Sequence, residues 1–205
     1  MNIILLKKIG VLVVISLVYI LVCKKIYYQL ENKSEIFYKN IKLEKKTKVY
    51  DIIHHNLPSL RSLTLLSDIF PYILLTIIFF IDFNLFYNVI GFLVSIYFFR
   101  LFIINLTILP KDKKCDIKNT STYNGGCYDK VYSGHFASSL LCLLLLYNSK
   151  YINLFTFLFL SIIIGLLLTT TRSHYTIDIF VALLMVIIVY QNNINFCRLL
   201  DKFVK

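Results

Sequence analysis

The chain has no internal repeat, no tryptophan and no Gly-, Pro- or Ser-rich linker; glycine occurs six times and proline three times in 205 residues. Without a repeat it is no solenoid, and without a linker it is no string of separately folded modules, so a single domain is expected. Metal-ligand spacing is missing too: none of the five cysteines stands at an interval typical of a zinc site. Cys23, Cys142 and Cys197 lie in or near apolar segments, where packing accounts for them. Cys115 and Cys127 share one polar loop and either pair, in an oxidising lumen, or remain free thiols. No small-residue cleavage site follows the first apolar run, which is expected to stay as a retained signal anchor. Acidic residues are also scarce, 11 Asp and Glu against 22 Lys and Arg, for a net charge of +11.

What is abundant is apolar sequence. Hydrophobic residues make up 58% of the chain, its mean hydropathy is +0.73, and they come in blocks rather than faces. Blocks of this kind argue for a membrane protein whose Lys and Arg sit in loops against headgroups, and against nucleic-acid binding. Six segments stand out, at about 9–23, 69–83, 86–106, 134–148, 152–171 and 175–190. The expected fold is therefore all-α, a polytopic membrane protein with six transmembrane helices. Several segments fall short of the roughly 20 residues of a full span and rely on snorkelling lysines such as Lys7, Lys8, Lys24 and Lys25. A five-span arrangement, with the first run lying in the interface, is the competing count. Within 1–205 as one membrane domain, 1–50 reads as a first helix plus a lysine-rich loop.

With six spans, the loops 24–68, 107–133 and 172–174 share one side of the membrane. His135, at the start of the fourth segment, and His174, at the start of the sixth, then face the same aqueous layer. Asp178 stands four residues after His174, on the same helical face, where it can accept a hydrogen bond from the imidazole. A carboxylate-oriented histidine serves as a nucleophile or a general base. Ser133 and Gly134 precede His135 at a helix start, where Ser is a good N-cap and backbone N–H groups attract an oxyanion. Arg100, inside an apolar helix, is costly there unless it clamps a phosphate, snorkels, or pairs with Asp68 or Asp129.

Three stretches together resemble the sphingomyelin synthase-like family of the type 2 phosphatidic acid phosphatase superfamily. Cys127-Tyr-Asp129-Lys-Val-Tyr-Ser133-Gly134-His135 resembles the third synthase motif, and His174-Tyr-Thr-Ile-Asp178 the fourth. Arg100, followed by Thr107 and Pro110, resembles the second. Leu57-Pro58 with Ser67-Asp68 resembles the weaker first motif, in which the family often has glutamate where Asp68 stands. The resemblance covers about 51–190, which reads as a catalytic core, and the chain is expected to be nearly the bare six-helix unit. Two features depart from the wider superfamily: Leu168 stands where phosphatases have arginine, and a Lys-and-Arg-Pro first motif is missing. Arg172 or Arg100 would then hold the phosphate.

The resemblance implies that His174, oriented by Asp178, forms a phosphohistidine from a glycerophospholipid headgroup, while His135 acts as acid and then as base for ceramide. Asp129 and Asp68 would support the histidines or bind a cationic headgroup. No metal or organic cofactor is implied. The expected partners are a glycerophospholipid donor, a ceramide acceptor and the bilayer, with a homo-oligomer left open and no nucleic acid. The product would be of sphingomyelin or ceramide phosphoethanolamine type. A lipid phosphatase or phospholipase C-like hydrolase, with water as acceptor, uses the same residues, and an idle sphingolipid-binding protein is a third reading. Lys and Arg number nine in 24–68, five in 107–133 and one at Arg172, against six on the other side. By that count the histidines would be cytosolic. The resemblance instead implies a lumenal or exoplasmic site in Golgi, endoplasmic reticulum or plasma membrane, and this is the orientation expected. The glycosylation triplets at Asn32 and Asn119 lie on the histidine side.

Overall fold

Short polar side chains mark several helix starts in this protein. In the computed structural model, which describes residues 3–40, 50–107 and 131–203, eight α-helices follow one another. They are α1 (Ile3–Asn40), α2 (Ile52–Asn56), α3 (Thr64–Ile81, preceded by a 3-10 turn at Arg61–Leu63), α4 (Phe83–Leu106), α5 (Gly134–Asn148), α6 (Leu154–Thr170), α7 (Thr176–Gln191) and α8 (Phe196–Phe203). No strand occurs among the described residues. Asp51, Asp82, Ser133 and Asn153 cap α2, α4, α5 and α6, each accepting at least one otherwise unpaired backbone N–H. The helices α5, α6 and α7 are each followed by a non-glycine residue of positive φ: Lys150 at 64°, Arg172 at 65° and Asn193 at 52°. That conformation costs roughly 1–2 kcal/mol outside glycine, and it is offset by N–H bonds back to the last helical carbonyls.

The centre of the bundle is α5, packed against α3, α4, α6 and α7. Beyond its polar first turns it carries an unbroken apolar run, Leu140 to Leu146, as a helix packed on several sides requires. Lys8 bonds Asn84 near the start of α4 and Tyr19 lies against Tyr97 further along it, so α1 and α4 run in the same direction. The α3–α4 and α5–α6 connections are tight reversals. The start of α3, the end of α4, the start of α5, the end of α6 and the start of α7 consequently meet in one layer. At the opposite end α8 folds back on α4. There a Cβ on Gly91 would lie 2.8 Å from Asn195 Cγ and 2.9 Å from Cys197 Cβ, so no side chain is accommodated.

Among the described residues, Arg61–Ile81, Phe83–Leu106 and Thr176–Leu199 are long and apolar enough to cross a bilayer. At 15 and 17 residues, α5 and α6 are shorter than the about 20 residues of a full span. Length and composition thus establish membrane-type helices but not the expected count of six. One local expectation differs. α1 does not end near Cys23 but runs on to Asn40, through what reads in sequence as a lysine-rich loop. Neither Gly nor Pro stands between Lys24 and Asn40 to stop it, and the extension buries Leu30 and Ser34.

Candidate functional site

In the layer where these helix ends meet, the α6–α7 turn presents His174. Its Nδ1 lies 3.2 Å from Asp178 Oδ2, and that same oxygen accepts the Tyr175 N–H at 2.8 Å. The i, i+4 spacing and the capping box of α7 thus act on one carboxylate, which is fully buried. A carboxylate can only accept, so the proton between them sits on Nδ1 and the imidazole lone pair on Nε2.

His135 sits in the first turn of α5, with Nε2 3.9 Å from Asp68 Oδ1 on α3. It lies near both His174 and Arg100. Arg100 is buried near the end of α4, with its guanidinium carbon 6.0 Å from the centre of the Tyr97 ring. Gly134 permits this approach: a Cβ there would lie 3.2 Å from Tyr97 Cε1 and 3.6 Å from Arg100 Cζ. The Ser133 hydroxyl accepts the Phe136 N–H, and its backbone N–H donates, at 3.4 Å, to the carbonyl of Asp178. This last bond joins the starts of α5 and α7.

The structure therefore gathers Asp68, Arg100, Ser133, Gly134, His135, His174 and Asp178. Arg172 is close by, but its Nη2 is engaged with the Leu57 carbonyl at 2.7 Å. Its Nη1 and the Tyr132 hydroxyl are buried donors with no hydrogen-bond partner among the described residues. Asp129, Cys115, Cys127, Pro110 and Asn119 lie outside the described residues. Among the described residues no three His, Cys, Asp or Glu gather as metal ligands.

Sequence reasoning missed Asp51 and His54. The Asp51 carboxylate caps α2 and also takes the Thr176 N–H at 2.6 Å and the Thr176 hydroxyl at 3.0 Å. His54 Nε2 donates to the carbonyl of His174 at 3.0 Å, and its ring lies 5.1 Å from that of Tyr175. The only local signal was Asp51 as a helix cap before Ile52-Ile53-His54; nothing nearby in sequence points to α7. Burial opposes the charge on Asp51, yet bonds from His54 and Thr176, helped by the charge of His54, outweigh it and hold the carboxyl below its ordinary value. The unfolded chain therefore binds this proton more readily than the folded one. The stabilisation is present above the ordinary carboxylate value of about 3.9 and is lost as pH falls through the lower folded value. Thermal unfolding followed from pH 7 to below about pH 4 should fall less steeply in Asp51→Asn than in the unmodified protein, from a lower starting point.

Residues 126–194 match the family model described as PAP2 superfamily C-terminal. The match takes in His135, His174 and Asp178, leaves out Asp68 and Arg100, and supports a relation to type 2 phosphatidic acid phosphatases. No curated protein and no solved structure matches the chain.

Proposed function

We propose that this protein is a membrane phosphotransferase that moves a phosphate-bearing headgroup from a glycerophospholipid to ceramide, releasing diacylglycerol. Relation to a family of lipid phosphatases and phosphotransferases supports the general class of enzyme. The observation that carries the reading is the 3.2 Å contact of His174 Nδ1 with the buried Asp178, beside a second histidine in the same layer.

In this reading His174 Nε2 attacks phosphorus, and the bond from phosphorus to the diacylglycerol oxygen breaks as His135 protonates that oxygen. His135 then takes the proton of the ceramide primary hydroxyl, whose oxygen displaces His174 and breaks the N–P bond. The net result is headgroup exchange, with one proton passed from ceramide to diacylglycerol. Arg100 and Arg172 offset the phosphate charge, the Ser133–Gly134 helix start orients it, and Asp68 and Asp129 support the histidines or receive a cationic headgroup. The core at 51–190 would span the bilayer with α3 to α7, and α1 would complete six spans. The site would face the lumen or cell exterior in Golgi, endoplasmic reticulum or plasma membrane.

Membranes carrying the protein, incubated with fluorescent ceramide and phosphatidylcholine, phosphatidylethanolamine or phosphatidylinositol, should yield a fluorescent phosphosphingolipid with at least one donor. No product with any of them would overturn the ceramide assignment. Diacylglycerol or phosphate released at an equal rate without ceramide would assign the acceptor to water instead.

A further inference from the structure

The backbone around His174 is tied down on every side, and most of those ties come from a segment about 110 to 125 residues earlier in the chain. The His174 N–H donates to the Leu168 carbonyl at 3.2 Å, holding the residue to the end of α6. Its carbonyl accepts from His54, and its ring is held by Asp178. Two residues on, Thr176 gives both its N–H and its hydroxyl to Asp51. On the far side of the turn, the Leu60 N–H donates to the Thr170 carbonyl at 2.9 Å, and Arg172 reaches the Leu57 carbonyl. The segment 51–60 thus grips the α6–α7 turn from both flanks, although that turn carries a residue of positive φ, Arg172.

Asp51 is the anchor of this grip. One carboxylate takes N–H groups from the first turns of two helices, α2 and α7, so both positive helix ends share one negative charge. His54 is the contact to the working residue. A carbonyl only accepts, so Nε2 carries the proton, and the Tyr175 ring packs against the imidazole at 37°.

We infer that Asp51 and His54 form a brace that positions His174 for attack, His54 by holding its carbonyl and Asp51 by fixing the first residue of α7. The inference rests on the proposed role of His174. Neither residue touches the reacting atoms; both act through the backbone that aims the imidazole. A displacement of about 1 Å at a reacting group is enough to cost up to about 100-fold in rate.

The test uses the full chain in lipid nanodiscs, with unmodified protein, His54→Ala, His54→Gln and Asp51→Asn. His54→Ala should lower kcat about tenfold with KM changed less than twofold and the unfolding temperature nearly constant. His54→Gln, which keeps an N–H donor, should recover most of the rate. An active His54→Ala, or a loss that follows the unfolding temperature and is not rescued by His54→Gln, would overturn the brace. In parallel, ethoxyformylation of His174 and His135 by diethyl pyrocarbonate is followed by mass spectrometry. His54→Ala should change the rate at His174 at least threefold and leave His135 unaffected; an unchanged His174 would also overturn the brace. Because this second reading needs no turnover, a protein inert towards every lipid would defeat the proposed reaction while still deciding whether the brace holds His174.

Discussion

His174→Ala is expected to abolish turnover, with a loss of at least about 1,000-fold in kcat, which corresponds to about 4 kcal/mol of barrier. The expectation follows from covalent catalysis: without the imidazole no N–P bond forms, and in this reading the second histidine is committed to proton transfer. Asp178→Asn tests the same step from the other side. The amide can offer an N–H to Nδ1 and so favour the tautomer with its proton on Nε2, which removes the attacking lone pair. A loss of roughly 100- to 10,000-fold with little change in KM is expected. Radiolabelled headgroup donor, followed by rapid alkaline quench and gel autoradiography, should label the unmodified protein and leave both variants blank. A labelled His174→Ala chain would place the nucleophile elsewhere.

His135→Ala is expected to show a different defect. General acid–base help is worth roughly 100- to 10,000-fold, and a steady-state loss in that range is expected with natural phospholipid. The two steps can be separated by the leaving group. An ester of p-nitrophenol departs as a stable anion and needs no proton, so its first half-reaction should survive in His135→Ala. The second should not, since nothing then deprotonates the ceramide hydroxyl. Stopped-flow absorbance should record one burst equivalent of nitrophenolate followed by stalling, with phosphohistidine accumulating. His174→Ala should give no burst at all. Equal impairment of burst and steady state in His135→Ala would remove His135 from the second step.

The parts of this site legible in the sequence are those set by short-range geometry. His174 and Asp178 meet at the expected spacing of four, although His174 lies in the turn just before α7 and not on the helical face expected from sequence, and Ser133 reads as a cap because of its place before an apolar run. The meeting of His135 with His174 needed only a count of reversals between them, since each apolar segment must turn back at its end. Helix boundaries were less legible. Lysines made 24–48 look like a loop, yet helix propensity and the burial of Leu30 carry α1 through to Asn40. Charge alone does not stop a helix when its other face has somewhere to pack.

What the sequence by itself determined is an all-helical membrane-type protein with a carboxylate-oriented histidine at the head of its last long apolar helix, because composition and period are local properties. Tertiary structure alone decided that Asp51 caps two helices at once, that His54 holds the His174 carbonyl, and that Arg172 spends one arm on Leu57. Those contacts join residues 115 to 125 positions apart. Their partners are backbone carbonyls, an amide N–H and a threonine hydroxyl, which no side-chain pattern announces. Only the folded chain brings them within hydrogen-bond reach.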